Sequence, residues 1–133
     1  MEKSFHALKW KVERGNMKIR IVEYGDIVEI ILDGNVLQEN VSYMKTRIID
    51  LINDGKRKVI LNMEGTEYIS SLCLAVLIDA KTRLTALQGD LKIAVVNRLV
   101  RNLMEITNLV RKIEIFDTID EAKASFGTLN SKL

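Results

Sequence analysis

Several residue types are scarce or missing in this chain of 133 residues, and each shortage excludes a class of protein or site. Cys73 is the single cysteine, so no disulfide can form within the chain, which favours a reducing, cytoplasmic setting. His6 is the single histidine, and without a second histidine or a cysteine cluster we expect neither a zinc site nor a nucleophile–histidine–acid triad. We therefore predict no metal, no cofactor and no catalytic residue. Proline is absent altogether, which points to nothing specific.

Long hydrophobic runs are also missing. No stretch approaches the ~20 apolar residues that a membrane span requires, and the polar N-terminus has no signal-peptide core. We therefore expect no membrane insertion. Apolar residues make up 47% and charged residues 29% of the chain, an ordinary balance for a globular protein, and the length fits one domain.

The formal net charge of +2 is confined to the first 16 residues. They hold four bases against two acids, whereas from Met17 onward the bases and acids balance at 16 each. A neutral body gives no electrostatic case for nucleic-acid binding. Residues 1–16 also lack strand or helix periodicity. We interpret them as an N-terminal extension that is either non-native or disordered, and one hypothesis places the native start at Met17.

From Met17 onward, short strands alternate with amphipathic helices. Gly25 and Asp26 separate the first two strands as a tight hairpin turn would. Three strand–helix–strand units follow, and these require parallel pairing. The predicted order is ββαβαβαβα: a single α/β domain with an N-terminal antiparallel hairpin, otherwise largely parallel strands, and about four helices. We assign this domain to residues 17–126 and a C-terminal tail to residues 127–133.

Two helices carry apolar positions that bear on function. The first runs from about Ser71 to Gln88, with a core stripe formed by Cys73, Val76, Leu77, Ala80, Leu84 and Leu87. Its opposite face carries Leu72, Ala75, Asp79, Thr82 and Ala86. The second carries the apolar residues Leu99, Leu103, Ile106 and Val110, and we expect it to break near Asn108, a residue type that tolerates left-handed geometry.

The most informative stretch is residues 62–77, where a buried strand runs into a polar loop, two serines and an apolar helix start. A serine at a helix start can cap the free backbone N–H groups, and such a site also favours a phosphate. Ser71 is therefore interpreted as a helix cap, a phosphorylation site or both, with Ser70 as the alternative phosphorylation site. Leu72 and Ala75 are either partner contacts or incidental surface residues. Cys73 is expected to be a small buried apolar residue.

Three segments match the motifs of one domain family in order and spacing. The segment Tyr68-Ile69-Ser70-Ser71-Leu72-Cys73-Leu74-Ala75-Val76-Leu77 is similar to Phe-Ile-Asp-Ser-Ser-Gly-Leu-Gly-Val-Leu. Residues 103–109, Leu-Met-Glu-Ile-Thr-Asn-Leu, are similar to Leu-Leu-Glu-Leu-Thr-Gly-Leu, and residues 115–122 resemble a final edge strand followed by an acidic, alanine-bearing helix. Over about residues 17–126 the chain thus resembles the STAS domain of anti-sigma factor antagonists and sulfate transporters.

The resemblance implies a regulatory protein-binding module and not an enzyme. Family antagonists bind an anti-sigma factor that is also an ATP-binding switch kinase, and phosphorylation of the serine that corresponds to Ser71 releases it; a phosphatase would reverse the step. The partner-binding residues expected here are Ser70, Ser71, Leu72, Ala75, Asn35 and Gln38.

Three departures from the serine motif of the family bear on the switch. Ser70 replaces an aspartate, Leu72 a serine and Cys73 a glycine, and the usual acidic residue after the second strand is replaced within residues 35–38. These departures motivate an alternative function, a constitutive, non-phosphorylated STAS subunit of a lipid- or anion-transport complex or of a signalling complex. A third interpretation, a small-molecule-binding or hydrolytic α/β protein, has little support.

Overall fold

The computed structural model describes residues 12–14 and 17–131 and contains one mixed sheet. The strands lie side by side in chain order: β1 (Val12–Arg14), β2 (Met17–Tyr24), β3 (Ile27–Asp33), β4 (Lys58–Gly65), β5 (Asp90–Ala94) and β6 (Ile115–Phe116). The helices are α1 (Val41–Asn53), α2 (Ser71–Ala86), α3 (Arg98–Ile106) and α4 (Ile119–Ser131), with a 3-10 turn at Leu109–Arg111. β2 pairs antiparallel with β1 and β3, and the other three pairs are parallel. From β2 onward, the predicted order ββαβαβαβα is confirmed.

The two faces of the sheet are covered unequally. Parallel crossovers that proceed in one direction with one handedness place their helices on the same face. α1, α2 and α3 accordingly share the larger hydrophobic core with inward-facing strand residues such as Val59 and Leu61. The opposite face carries a smaller cluster in which Ala122 and Phe126 of α4 pack on Ile60.

A buried carboxylate lies on the smaller-core face. Glu29 accepts hydrogen bonds from the Tyr24 hydroxyl at 2.7 Å and from the Asn62 side-chain amide at 2.8 Å. Burial, the hydrogen bond to Glu29 and the negative charges of Glu29 and Asp120 raise the pKa of Tyr24 to about 12. The Lys123 ammonium lies 3.9 Å from the centroid of the Tyr24 ring and links α4 to β2.

Both ends of the chain add to the elements expected from the sequence. Within the predicted N-terminal extension, Val12–Arg14 forms β1 and pairs with Met17–Ile19 of β2. Residues 1–11 and 15–16 lie outside the described residues, so the status of residues 1–16 stays a prediction. At the other end, α4 continues to Ser131, into the segment predicted as a tail. Among the helices that the structure describes, none is both long and apolar enough to cross a membrane.

The predicted core face of α2 needs correction, and α3 buries residues other than the apolar ones named from the sequence. In α2, Leu87 is 45% exposed because the helix ends at Ala86, while the unassigned Leu74 is buried. In α3, the buried residues are Val100 and Met104. The apolar residues identified from the sequence lie mostly outside the core: Leu99, Ile106 and Val110 are exposed, and Leu103 is half-buried. The break predicted near Asn108 is confirmed, since this residue has φ 63°.

Candidate functional site

Two loops at the carboxyl ends of β3 and β4 are hydrogen-bonded into one unit. We call residues 34–40 the β3–α1 loop and residues 66–70 the serine loop. The Val36 N–H donates to the Tyr68 carbonyl at 3.1 Å, and the Ser70 N–H donates to the Val36 carbonyl at 2.8 Å. These bonds form a parallel bridge between Val36 and Ile69, both of which are buried. The two loops predicted to bind a partner are therefore brought together at one edge of the sheet.

Asparagine side chains fix this pair of loops. The Asn35 side-chain oxygen accepts hydrogen bonds from the Glu67 and Tyr68 backbone N–H groups, both at 3.0 Å. The buried Asn40 accepts from the Leu37 N–H at 2.8 Å and donates to the Asn35 carbonyl at 3.0 Å. Asn35 thus positions the serine loop through its side-chain oxygen.

Asn97 holds the serine loop from the other side. The sequence alone did not identify it as a residue of the site. As the residue before α3, it accepts a hydrogen bond from the Val100 N–H at 2.7 Å, a standard helix cap. Its amide nitrogen donates to the carbonyl of Glu67 at 3.2 Å and, at a longer 3.4 Å, to that of Thr66. An asparagine between a strand and an amphipathic helix was the available signal for the cap.

The two serines occupy different positions at the start of α2. Ser70 is the N-cap residue with extended backbone, and Ser71 is the first residue of the 16-residue helix. The prediction that Ser71 caps the helix is therefore wrong. The Ser70 hydroxyl oxygen is buried and has no hydrogen-bond partner among the described residues, whereas Ser71 is exposed. The first turn of α2 contains no acidic residue, so the positive end of the helix dipole has no carboxylate beside it there.

The next residues alternate between solvent and core. Leu72 is 45% exposed and Ala75 is exposed, as the predicted helix face requires. Cys73 is fully buried, and this burial raises the pKa of its thiol to about 12. The thiol is therefore protonated at neutral pH and is not a nucleophile. Gln38 is exposed in the β3–α1 loop, so its side chain is accessible from the same edge.

Exposed acids surround the serine loop. They are Asp33, Glu39, Glu64 and Glu67. Among the described residues, no group of three or more histidine, cysteine or acidic side chains could hold a metal ion. A groove of about 250 Å³ opens beside β3 and β4, lined in part by Asp33 and Glu64, and is smaller than the usual pocket for a drug-sized ligand. A larger groove of about 550 Å³ lies between β2 and α1 and is lined by no residue of either loop.

Comparisons with known proteins converge on one family. The model of the STAS domain matches residues 18–122. A curated protein of Thermotoga neapolitana, provisionally named an anti-sigma factor antagonist, is 31% identical over 104 residues, which cover 77% of this chain and 90% of the relative. A crystal structure with the same provisional name, from Thermotoga maritima, has a TM-score of 0.78 and 26% identity, and covers 80% of this chain and 92% of its own. The phosphorylated Bacillus cell fate determinant SpoIIAA shares the fold at a TM-score of 0.65 and 18% identity, over 81% of this chain and 98% of its own.

Proposed function

Since this chain belongs to the STAS domain family, we propose that it acts as an anti-sigma factor antagonist controlled by phosphorylation of Ser71. In this proposal it is a binding module and not an enzyme, and its partner is an anti-sigma factor that is also an ATP-dependent serine kinase. The observation that carries the proposal is an exposed hydroxyl, that of Ser71, at the first position of a long helix beside the exposed Leu72. The unmodified edge binds the kinase, and the phosphorylated edge releases it.

The phosphate would act on the binding surface and not on the fold. Phosphoryl transfer joins the Ser71 oxygen to the γ-phosphorus of ATP, breaks the bond to the ADP oxygen and releases the hydroxyl proton. The product carries about −1.5 to −2 charges at pH 7. The helix start tolerates an anion because its free N–H groups and dipole favour one there. A partner surface seated on Leu72 would instead meet a strongly hydrated anion, which opposes binding.

The neutral Ser70 is compatible with this switch. At the position where the family carries an aspartate, the chain has a serine whose hydroxyl oxygen is buried. A phosphate on Ser71 would therefore meet no carboxylate from its preceding neighbour. Ser70 itself is a poor phosphate acceptor in this conformation, because its hydroxyl is not accessible.

The altered motif also supports the second candidate function, a constitutive STAS subunit of a transport or signalling complex. Leu72 and the buried Cys73 stand where the family carries a serine and a glycine. A cysteine in the core restricts the helix start more than glycine does, since glycine gives the backbone extra freedom. In this alternative the same edge binds a permanent partner and Ser71 is never modified.

One experiment separates the two functions. The chain is incubated with ATP and each ATP-binding anti-sigma factor kinase of the source organism, and phosphate is located by peptide mass spectrometry. We expect one phosphate on Ser71, retained in Ser70→Ala and lost in Ser71→Ala. A kinase that binds the unmodified chain tightly but leaves it unphosphorylated would favour the constitutive subunit. Phosphate on Ser70 would contradict the assignment of Ser71.

A further inference from the structure

Large apolar side chains are exposed mainly along one path on the described surface. Six of them are strongly exposed, and five lie on the serine loop, the start of α2, α3 and the following 3-10 turn. These five are Tyr68, Leu72, Leu99, Ile106 and Val110. Groups of exposed apolar side chains on neighbouring elements mark interaction sites more often than single exposed residues do.

α3 presents its apolar residues to solvent because its other face is anchored. Val100 and Met104 are fully buried, which fixes the rotation of the helix about its axis. Leu99 and Ile106 then lie on the outer side, 51% and 79% exposed. Leu103 lies between them at the correct spacing for one helix face and is half-buried. We call Leu99, Leu103, Ile106 and Val110 the α3 ridge.

The α3 ridge begins at the serine loop. The Asn97 side chain donates to the Glu67 carbonyl at 3.2 Å, which brings the start of α3 against the loop. Tyr68 follows Glu67 directly, and Leu99 lies two residues after Asn97. A protein seated on Ser71 and Leu72 therefore has the α3 ridge within reach of the same surface.

The serine loop and the α3 ridge differ in the charges that surround them. Exposed carboxylates, including Glu64 and Glu67, surround the serine loop. Exposed bases flank the α3 ridge: Arg98 lies at its start, and Arg111 and Lys112 follow it. One exposed acid, Glu105, lies within α3. An anionic membrane would be attracted to the bases that flank the ridge and repelled by the acids of the serine loop, and a two-fold contact between two copies of the ridge would oppose bases to bases. A protein surface with bases facing the serine loop and acids facing the α3 ridge satisfies both.

We propose that the α3 ridge is a second docking surface for the kinase that binds the serine loop, and that it fits an apolar groove with an acidic rim on that kinase. This inference rests on the proposed function. It adds a contact remote from the phosphorylated residue. The ridge supplies affinity and orientation, and the serine loop supplies control.

The test removes the most exposed apolar side chain of the ridge. Ile106→Ser is compared with Leu87→Ser, which removes a leucine that is 45% exposed at the far end of α2. Binding to the kinase that phosphorylates the wild-type chain is measured by calorimetry, with thermal unfolding as the check on folding. We expect Ile106→Ser to weaken binding about tenfold or more, the effect of losing an interface anchor, and Leu87→Ser to leave it unchanged.

A charge reversal tests the acidic rim. We expect Arg98→Glu with Arg111→Glu to weaken binding, and more so at low ionic strength, where repulsion is least screened. Each single reversal is also measured, and Arg83→Glu, on α2 and outside the path, is the charge-matched control for it and is expected to bind like the wild type.

The remaining outcomes would overturn the inference in distinguishable ways. If Leu72→Asp weakens kinase binding and Ile106→Ser does not, the proposed function stands and the second surface is wrong. If no kinase binds the wild-type chain, both proposals are wrong. The surface is a membrane contact instead if phosphatidylglycerol vesicles bind the chain and Ile106→Ser abolishes that binding. It is a self-association contact if the wild type sediments as a dimer and Ile106→Ser as a monomer.

Discussion

Asn97 offers the sharpest test of how the serine loop is held, because its two side-chain functions can be removed separately. The side-chain oxygen caps α3, and the side-chain nitrogen donates to the loop carbonyls. Loss of a cap typically costs about 1 kcal/mol. Loss of the loop hydrogen bond costs about 0.5 to 1 kcal/mol, since Asn97 is exposed and water can replace the donor. We therefore expect Asn97→Ala to lower the free energy of unfolding by about 1.5 to 2 kcal/mol.

Asn97→Asp separates the two contributions. Its carboxylate still accepts from the Val100 N–H and interacts favourably with the helix dipole, but it cannot donate to the Glu67 carbonyl. It should therefore lose less stability than Asn97→Ala, about 0.5 to 1 kcal/mol. Both variants should speed hydrogen exchange at the Glu67 and Tyr68 amides roughly two- to fivefold, because the loop opens more easily.

The measurements are urea unfolding and amide exchange followed by NMR. Asn102→Ala is the matched control, since Asn102 is an exposed asparagine within α3; it should be neutral or slightly stabilising, because alanine is the better helix former. An Asn97→Ala protein as stable as the wild type would refute the role of Asn97 in capping α3 and holding the serine loop. So would unchanged exchange at Glu67 and Tyr68 in both Asn97 variants.

Three further predictions concern single side chains. Leu72→Asp should weaken kinase binding at least tenfold while leaving the unfolding temperature nearly unchanged, checked by calorimetry and circular dichroism. Gln88→Gly should raise the free energy of unfolding by about 0.5 to 1 kcal/mol in urea titrations, because Gln88 has φ 67° and glycine adopts this geometry without strain. Tyr24 has its pKa raised from 10.0 to about 12, so its contribution to stability should be complete below pH 10 and decline as pH rises through 12. Ultraviolet titration and unfolding at several pH values should show this loss, and Tyr24→Phe should abolish it.

The sequence predicted the fold well because its signals are local. Strand lengths, the Gly25 turn and the left-handed Asn108 all follow from short-range pattern. The faces of α2 were also largely readable, since Cys73 and Leu77 repeat at helical spacing with exposed residues between them. The prediction for Leu87 was wrong because the helix ends at Ala86, two residues before the predicted Gln88, and such a shift lies within the ordinary uncertainty of a periodic pattern.

The site could be predicted only in part from the sequence, because its geometry depends on contacts between segments that are distant along the chain. Asn35 and Asn97 are each about thirty residues from the loop carbonyl or amide groups that they hold, and one sequence carries no signal for such pairing. α3 has apolar residues on both sides, so periodicity alone cannot decide which side is buried. In the folded structure Val100 and Met104 pack into the core, and Ile106, on the other side of the helix, is exposed to solvent.

The separation of charge along the docking path has a kinetic consequence. Acids at the serine loop and the exposed Arg111 and Lys112 beyond the end of α3 form a local dipole on the surface. A partner of matching polarity would experience a torque before contact and would rotate into register while still hydrated. The charged residues would then govern how fast the complex forms and the apolar ridge how long it lasts, so ionic strength would change association rates far more than residence times.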